Sequence, residues 1–243
     1  MDEVVFPHSH RMNHTERTIE KGNVPGTGDR RYRVLIVDAH PVMRHGLFQL
    51  IDRSGDLKIV GEADTPQAGL EAIATAGPHV VISDIALNGN SAFDFIRAIK
   101  SERSEVQVLI FSHYDEATYA PRALRAGANG YVMKGESGQT VLQAIHTVLN
   151  GEIYLSAEMA MRMFNSVVNG KTPAGVSPVD VLSDRQLEVF ELIGRCFGSR
   201  EISEQLQVNI KTVNSHRAQI KKKLAVHSAT ALVRRAVEWV QSR

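Results

Sequence analysis

Four polar side chains stand where apolar runs of the chain break off. Asp38 follows Val34-Leu-Ile-Val37, Asp84 closes the run from His79, Ser112 follows Val106 to Phe111, and Lys134 follows Gly130-Tyr-Val-Met133. Two carboxylates, a hydroxyl and an ammonium suit phosphorylation of a carboxylate by in-line attack, catalysed by positioning and charge neutralisation. Asp84 would take the phosphoryl group, with Lys134 supplying fixed positive charge and Ser112 a hydroxyl donor. Asp38 and Asp84 repel each other unless something cationic lies between them. A hard divalent cation meets that need, and Mg²⁺ typically takes one or two carboxylates plus phosphate oxygens.

Such chemistry requires the run ends to share one edge of a sheet. The run ending at Asp84 is short and β-branched, bounded by Gly77-Pro78 and Asn88-Gly89, which reads as a strand buried on both faces. From Arg33 the chain alternates strands with helices. Strands are expected at 34–37, 57–63, 79–84, 106–111 and 130–133, and helices at 41–51, 65–74, 91–101, 115–125 and 138–150. Pro41 suits a first helical turn, and Thr65 an N-cap. Five strands alternating with five helices predict a doubly wound α/β fold with a parallel sheet, order 2-1-3-4-5. That order puts Asp38 and Asp84 on neighbouring strands at the carboxyl edge, where ligands bind in such sheets.

The bulk properties suit two modest domains in 243 residues. No apolar run approaches the length of a membrane span. A single cysteine, Cys196, forms no internal disulfide; it is expected as a small buried residue in a helix, and the chain as cytoplasmic. The net charge of +1 hides an asymmetry: residues 33–153 carry 10 basic and 14 acidic side chains, and residues 181–243 carry 11 and 6. An acidic first part and a basic last part point to different partners, nucleic acid for the second. Residues 1–32, with Gly22, Pro25, Gly26 and Gly28, read as a flexible arm. His8, His10 and His14 lack the Cys or carboxylate neighbours of a metal site.

Beyond residue 153 the pattern turns helical. An amphipathic helix is expected from Ser156 to Val168, with Met159, Met163, Phe164 and Val167 as a packing stripe, then a linker rich in breakers from Asn169 to Pro178. Ser183 and Gln186 form a capping-box pattern, Ser199 caps a short helix, and Asn209 caps a helix from Ile210 to Leu224. A final helix runs to Gln241. A short helix, a tight turn and a longer helix make a helix-turn-helix. The longer helix bears Lys211, Arg217, Lys221, Lys222 and Lys223 and no acid. With Val213, Ile220 and Leu224 turned to the core, Lys211, Thr212, Asn214, Ser215 and Ala218 face outward. Short polar groups there suit base edges in a major groove, and the cations suit phosphates of double-stranded DNA.

Val34 to Asp38 with His40-Pro41 and Arg44-x-Gly46-Leu47, then Asp84, Ser112 and Ala123-Leu-Arg-Ala-Gly-Ala-Asn-Gly-Tyr131-Val-Met-Lys134, resemble a response-regulator receiver domain. Leu182-Ser-x-Arg-Gln-x-Glu188-Val, Arg200-Glu-Ile202, Lys211-Thr-Val213, His216-Arg217 and Lys223-Leu224 resemble a LuxR-type helix-turn-helix. Together they resemble the NarL/FixJ layout: an arm at 1–32, a receiver at 33–153, a linker helix and linker at 154–180, and a DNA-binding domain at 181–243. The resemblance implies that Asp84 accepts phosphate from a sensor histidine kinase and that Ser112 and Tyr131 form the switch, with Lys134 on the phosphate. It implies Mg²⁺ on Asp38, Asp84 and the Ala86 backbone carbonyl. On DNA it implies base contacts from Asn214, Ser215 and Ala218, phosphate contacts from Lys211, Thr212 and Arg217 with Arg200 and Lys221 nearby, and a homodimer through the last helix. His216 is expected in helix packing or at phosphate. At rest the receiver is expected to cover the helix from Ile210 to Leu224.

Three positions depart from the family pattern. Ala39 stands where a second acidic metal ligand is usual, Asn88 where Pro is usual, and Gly135 where many receivers have Pro. Ala39 opens the alternative of a regulator of the same architecture controlled without phosphorylation. A phosphotransfer enzyme of the haloacid-dehalogenase kind also attacks through an Asp after a parallel strand. It needs a second Asp two residues on, where this chain has Ala86. The chain is therefore expected not to be an enzyme.

Overall fold

The computed structural model describes residues 31–87, 91–168 and 179–242. The expected arm at 1–32 (all but its last two residues), the Asn88-Gly89 turn and the linker 169–178 lie outside them, as does the Val167 side chain.

Apolar runs with hydrogen-bonding ends form five strands: β1 Tyr32–Val37, β2 Leu57–Ala63, β3 Val80–Ser83, β4 Gln107–Ser112 and β5 Gly130–Met133. They make one parallel sheet of order β2-β1-β3-β4-β5, as expected. Helices α1 Pro41–Asp52, α2 Pro66–Ala76, α3 Ala92–Glu102, α4 Glu116–Ala126 and α5 Gly138–Leu149 alternate with them. Thr65, Ser91, Asp115 and Ser137 cap α2 to α5, each accepting a backbone N–H of the first turn.

Strand side chains alternate faces, and the core divides accordingly. Leu35, Val37, Val81, Val108, Ile110 and Tyr131 join the cluster containing Phe93, Phe95 and Ile96 of α3, while Val34, Ile36, Val80, Ile82, Leu109 and Val132 join Leu47, Ile51, Val141 and Ile145 of α1 and α5. The glycines of the segment after α4 are explained by geometry. Gly127 has φ +110°, where a side chain is strained. A Cβ on Gly130 would lie 3.0 Å from Leu109 and Tyr154. Tyr154 pairs beside Gly130 as an isolated parallel bridge.

Helix α6, Ala157–Val168, turns Met159 inward, but Phe164 is 64% exposed. The expected packing stripe is therefore narrower: Phe164 belongs to the opposite face. Four helices complete the chain: α7 Asp184–Gly194, α8 Ser199–Gln205, α9 Ile210–Lys223 and α10 Ala229–Gln241. Ser183 and Gln186 form the expected capping box on α7. At α8 the N-cap is Gly198 instead of Ser199, its N–H donating to Glu201. Cys196 is exposed, with φ +66° just beyond α7, and is not a buried helical residue. There it occupies the left-handed position that ends a helix, with the Phe197 N–H reaching back to Leu192.

Leu187, Phe190, Ile193, Val213, Ile220, Leu232 and Ala236 are buried between these helices, and Phe190 meets Trp239 at 5.5 Å. Their core is continuous with the α3–α4 side of the sheet.

Candidate functional site

Strand register sets the first site. Val37 pairs with Ser83 and Ser112 with Met133, so Asp38, Asp84 and Lys134 are the residues leaving β1, β3 and β5 at one edge, beside Ser112 at the end of β4. Backbone bonds extend the ladder: the Asp84 N–H donates to Val37 O and the Lys134 N–H to Ser112 O. All four side chains are nearly fully buried.

The ammonium of Lys134 lies between the carboxylates, donating to Asp38 Oδ2 and Asp84 Oδ2 at 2.6 Å each. Asp84 Oδ1 accepts from Ser112 Oγ at 2.6 Å and from the Ile85 N–H at 2.7 Å. Asp38 Oδ1 accepts the His40 N–H at 2.8 Å and faces His40 Nδ1 at 3.0 Å. Every carboxylate oxygen thus has a partner, which buried charge requires. The lysine–carboxylate–hydroxyl set is intact although Ala39 contributes no acid, so control without phosphate finds no support here.

Asp38, His40 and Asp84 each present a ligand atom within 4.8 Å of the others. A cavity of about 90 Å³ opens beside them, lined by Ala39, His40, Ile85, Ala86 and Leu87. This donor set fits a divalent cation. Sequence reasoning assigned no role to His40, whose only signal was its place two residues after Asp38.

Tyr131 is fully buried on β5, and its hydroxyl donates to Tyr114 O at 2.7 Å. The Tyr114 ring stacks on Tyr119 at 4.9 Å. Burial pushes both the Tyr119 and Tyr131 hydroxyls well above the usual tyrosine range, with Glu191 adding to it at Tyr119 and Asp84 at Tyr131. Both remain donors.

The receiver does not cover α9, contrary to expectation; its α3 N-cap and α4 hold α7. Tyr119 OH donates to Glu191 Oε2 at 2.5 Å, and Ser91 Oγ donates to Glu188 Oε1 at 2.9 Å. Arg122 donates to Leu182 O, Val179 O and Asp184 Oδ1 at 2.9–3.1 Å. Arg195 binds Glu191 at 2.7 Å and lies over the Tyr114 ring at 5.0 Å. Partly desolvated, Arg195 is still held above its usual range by Glu191. Burial raises the Glu188 carboxyl above the usual range against the pull of Arg185. Glu188, Leu192 and Leu206 also roof the cavity beside Ala39. Sequence reasoning missed this contact. Its signal was two i,i+3 pairs, Tyr119 with Arg122 beside Ala123 and Ala126 on α4, and Glu188 with Glu191 on the charged face of α7 that also bears Asp184 and Arg195.

On α9, Val213 and Ile220 are buried, while Lys211, Thr212, Asn214, Ser215 and Ala218 are exposed. Asn209 caps the helix, accepting the Lys211 N–H at 2.8 Å. Arg200 is exposed on α8, and Arg217 and Lys221 are half-buried on α9. Desolvation lowers the Arg217 guanidinium below its usual range. His216 is half-buried with no hydrogen bond to Nδ1, and desolvation, then Arg185, lowers its pKa. Among the described residues no helix is long and apolar enough to cross a membrane.

Residues 34–146 match the response regulator receiver domain model, and residues 180–236 match that of bacterial regulatory proteins of the luxR family. The chain is 32% identical over 200 residues to the Fimbriae Z protein of Salmonella typhimurium, covering 82% of this chain and 93% of that one. It is 31% identical over 210 residues to the oxygen regulatory protein NreC of Staphylococcus haemolyticus, covering 85% and 97%. The structure of RcsB from Salmonella enterica serovar Typhimurium, bound to promoter rprA in the presence of phosphomimetic BeF₃⁻, superposes with TM-score 0.60 at 22% identity. That match covers 84% of this chain and 97% of RcsB, and it shows a shared fold.

Proposed function

The chain belongs to the NarL/FixJ family of response regulators, and on that premise we propose that it is a transcription regulator switched by phosphorylation of Asp84 by a sensor histidine kinase. The observation that carries this reading is the convergence of Lys134, Ser112 and Asp38 on the Asp84 carboxylate. Lys134 and Ser112 hold the phosphoryl oxygens, and Asp38, Asp84 and the Ala86 carbonyl hold a divalent cation, Mg²⁺ in the family. Held there, such a cation would supply positive charge against the transferred phosphoryl group.

Output is double-stranded DNA binding. Asn214, Ser215 and Ala218 face base edges, Ala218 through a thymine methyl alone. Lys211, Thr212, Arg217, Arg200 and Lys221 meet phosphates. RcsB was captured on promoter DNA with a phosphomimetic, which favours the same use of this fold. The exposed face of α9 means that the resting state does not act by masking the DNA surface. Helix α10 lies close to the same edge: Trp239 and Val240 line, with Glu191, Arg195, His113, Asp115 and Met133, one cavity of about 300 Å³. We assign α10 to a symmetric dimer contact, which the docking of α7 on the receiver obstructs. Tyr131, Tyr114 and Tyr119 link the Asp84 site to α7. A phosphoryl group on Asp84 draws Ser112 to itself and disturbs the β4–α4 loop that carries Tyr114, loosening α7.

Intact-mass spectrometry after incubation with a small phosphodonor and a divalent cation tests the reading. A phosphoryl adduct on the native chain, lost in Asp84→Asn, is expected. An adduct that persists in Asp84→Asn would overturn the assignment.

A further inference from the structure

The loop after β1 reads Asp38-Ala39-His40, so the side chain next to Asp38 contributes no ligand. Ala39 and His40 border, with Ile85, Ala86 and residues of α7 and the end of α8, a cavity of about 90 Å³. His40 is held at this cavity by its own backbone. Its N–H and its Nδ1 both address Asp38 Oδ1, at 2.8 and 3.0 Å. Two ligands at right angles, each about 2.1 Å from a metal, lie about 3 Å apart. The Asp38 Oδ1–His40 Nδ1 spacing already has that value, and an Asp84 oxygen completes the group within 4.8 Å. Lys134 donates to Oδ2 of both carboxylates, so Asp38 Oδ1 is left to face His40.

The geometry points to His40 as the third side-chain ligand of the cation site, making that site selective for a first-row transition divalent cation, Mn²⁺ in particular, over Mg²⁺. Imidazole nitrogen is a poor ligand for Mg²⁺ and a good one for first-row metals, while the two carboxylates and a phosphoryl oxygen still suit Mn²⁺. His40 would bind through Nδ1, the ring atom that already faces Asp38 Oδ1. At 61% exposure the His40 side chain has room to settle. This inference rests on the proposed cation site, and its test is kept apart from phosphorylation.

The test is Mn²⁺ binding to the full unphosphorylated chain, followed by the loss of the free-ion paramagnetic resonance signal. Competition with Mg²⁺ gives selectivity, and pulsed resonance gives ¹⁴N coupling from a bound imidazole. Native protein is expected to hold Mn²⁺ at least about tenfold tighter than Mg²⁺ and to show ¹⁴N coupling. His40→Ala is expected to lose the coupling and about tenfold or more in Mn²⁺ affinity with Mg²⁺ affinity unchanged. Ala39→Asp is expected to raise Mg²⁺ affinity and narrow the preference. Equal affinities in the native chain, or coupling that survives His40→Ala, would overturn the role of His40. Mg²⁺ binding by Ala39→Asp with no Mn²⁺ binding by the native chain would refute His40 while leaving the carboxylate site standing. Binding of neither ion by either protein would refute the cation site itself.

Discussion

Tyr119→Phe isolates the contact that ties α7 to α4. The substitution keeps the ring stacked between Phe93 and Tyr114 and deletes one O–H donor. The lost bond runs to a buried carboxylate, Glu191, which keeps its pairing with Arg195 at 2.7 Å. Hydrogen bonds to charged groups contribute ~1.5–3 kcal/mol, so undocking becomes easier by about 10- to 150-fold. If undocking limits DNA binding, apparent affinity follows the open fraction. Unphosphorylated Tyr119→Phe is then expected to bind a labelled duplex, selected from a random pool, at least about tenfold tighter than the native chain. Phosphorylation should add correspondingly less, because both act on one equilibrium. Trp239, the sole tryptophan, reports docking independently: it lines a cavity together with His113 and Asp115 of the β4–α4 loop, and its emission should shift. A double-mutant cycle with Glu191→Gln should show coupling above about 1 kcal/mol. Unchanged affinity together with unchanged Trp239 emission in Tyr119→Phe would refute the docking argument.

Lys134→Met leaves Asp38 and Asp84 facing each other without compensation, and is expected to cost ~3–5 kcal/mol of stability in denaturant unfolding, partly recovered by adding Asp84→Asn. Lys211→Ala should weaken DNA binding evenly across sequences and reduce the salt dependence by about one phosphate contact per subunit, whereas Asn214→Ala should relax sequence preference by ~1–3 kcal/mol at one base pair. His216 has a folded pKa below its ordinary 6.5, so the unfolded chain takes up its proton first as pH falls. Its contribution is present above pH 6.5 and lost as pH drops through the folded pKa. The melting temperature should therefore fall on acidification below 6.5, by less in His216→Gln.

The sheet was legible because its signals are local. Alternation, Pro41, Thr65, Ser91 and Asp115 mark element ends within one or two residues of where they lie, and four parallel crossovers leave few topologies. The convergence of Asp38, Asp84, Ser112 and Lys134 then follows from strand register, since residues leaving paired strands together must meet. The helix-turn-helix was legible for the same reason, its caps and apolar spacing being written within a few residues.

What escaped the sequence is what depends on distant partners. Ser91 and Glu188 are 97 positions apart, Tyr119 and Glu191 72, Arg122 and Asp184 62. No periodicity encodes such pairs. Each side chain alone reads as a solvated or half-buried polar residue, and only the docked arrangement shows that a hydroxyl meets a carboxylate and a guanidinium meets carbonyls in a dry interface. Phe164 and Cys196 were misplaced for a related reason, because apolar character says that a residue could be buried without saying that a partner is there to bury it. Buried, paired charges add little net stability but are costly to leave half-made. An interface built from them favours two states, docked with every partner in place or released to water, over anything between. That is the property a switch between the Asp84 site and α7 requires, and it arises from pairings that neither half of the chain contains by itself.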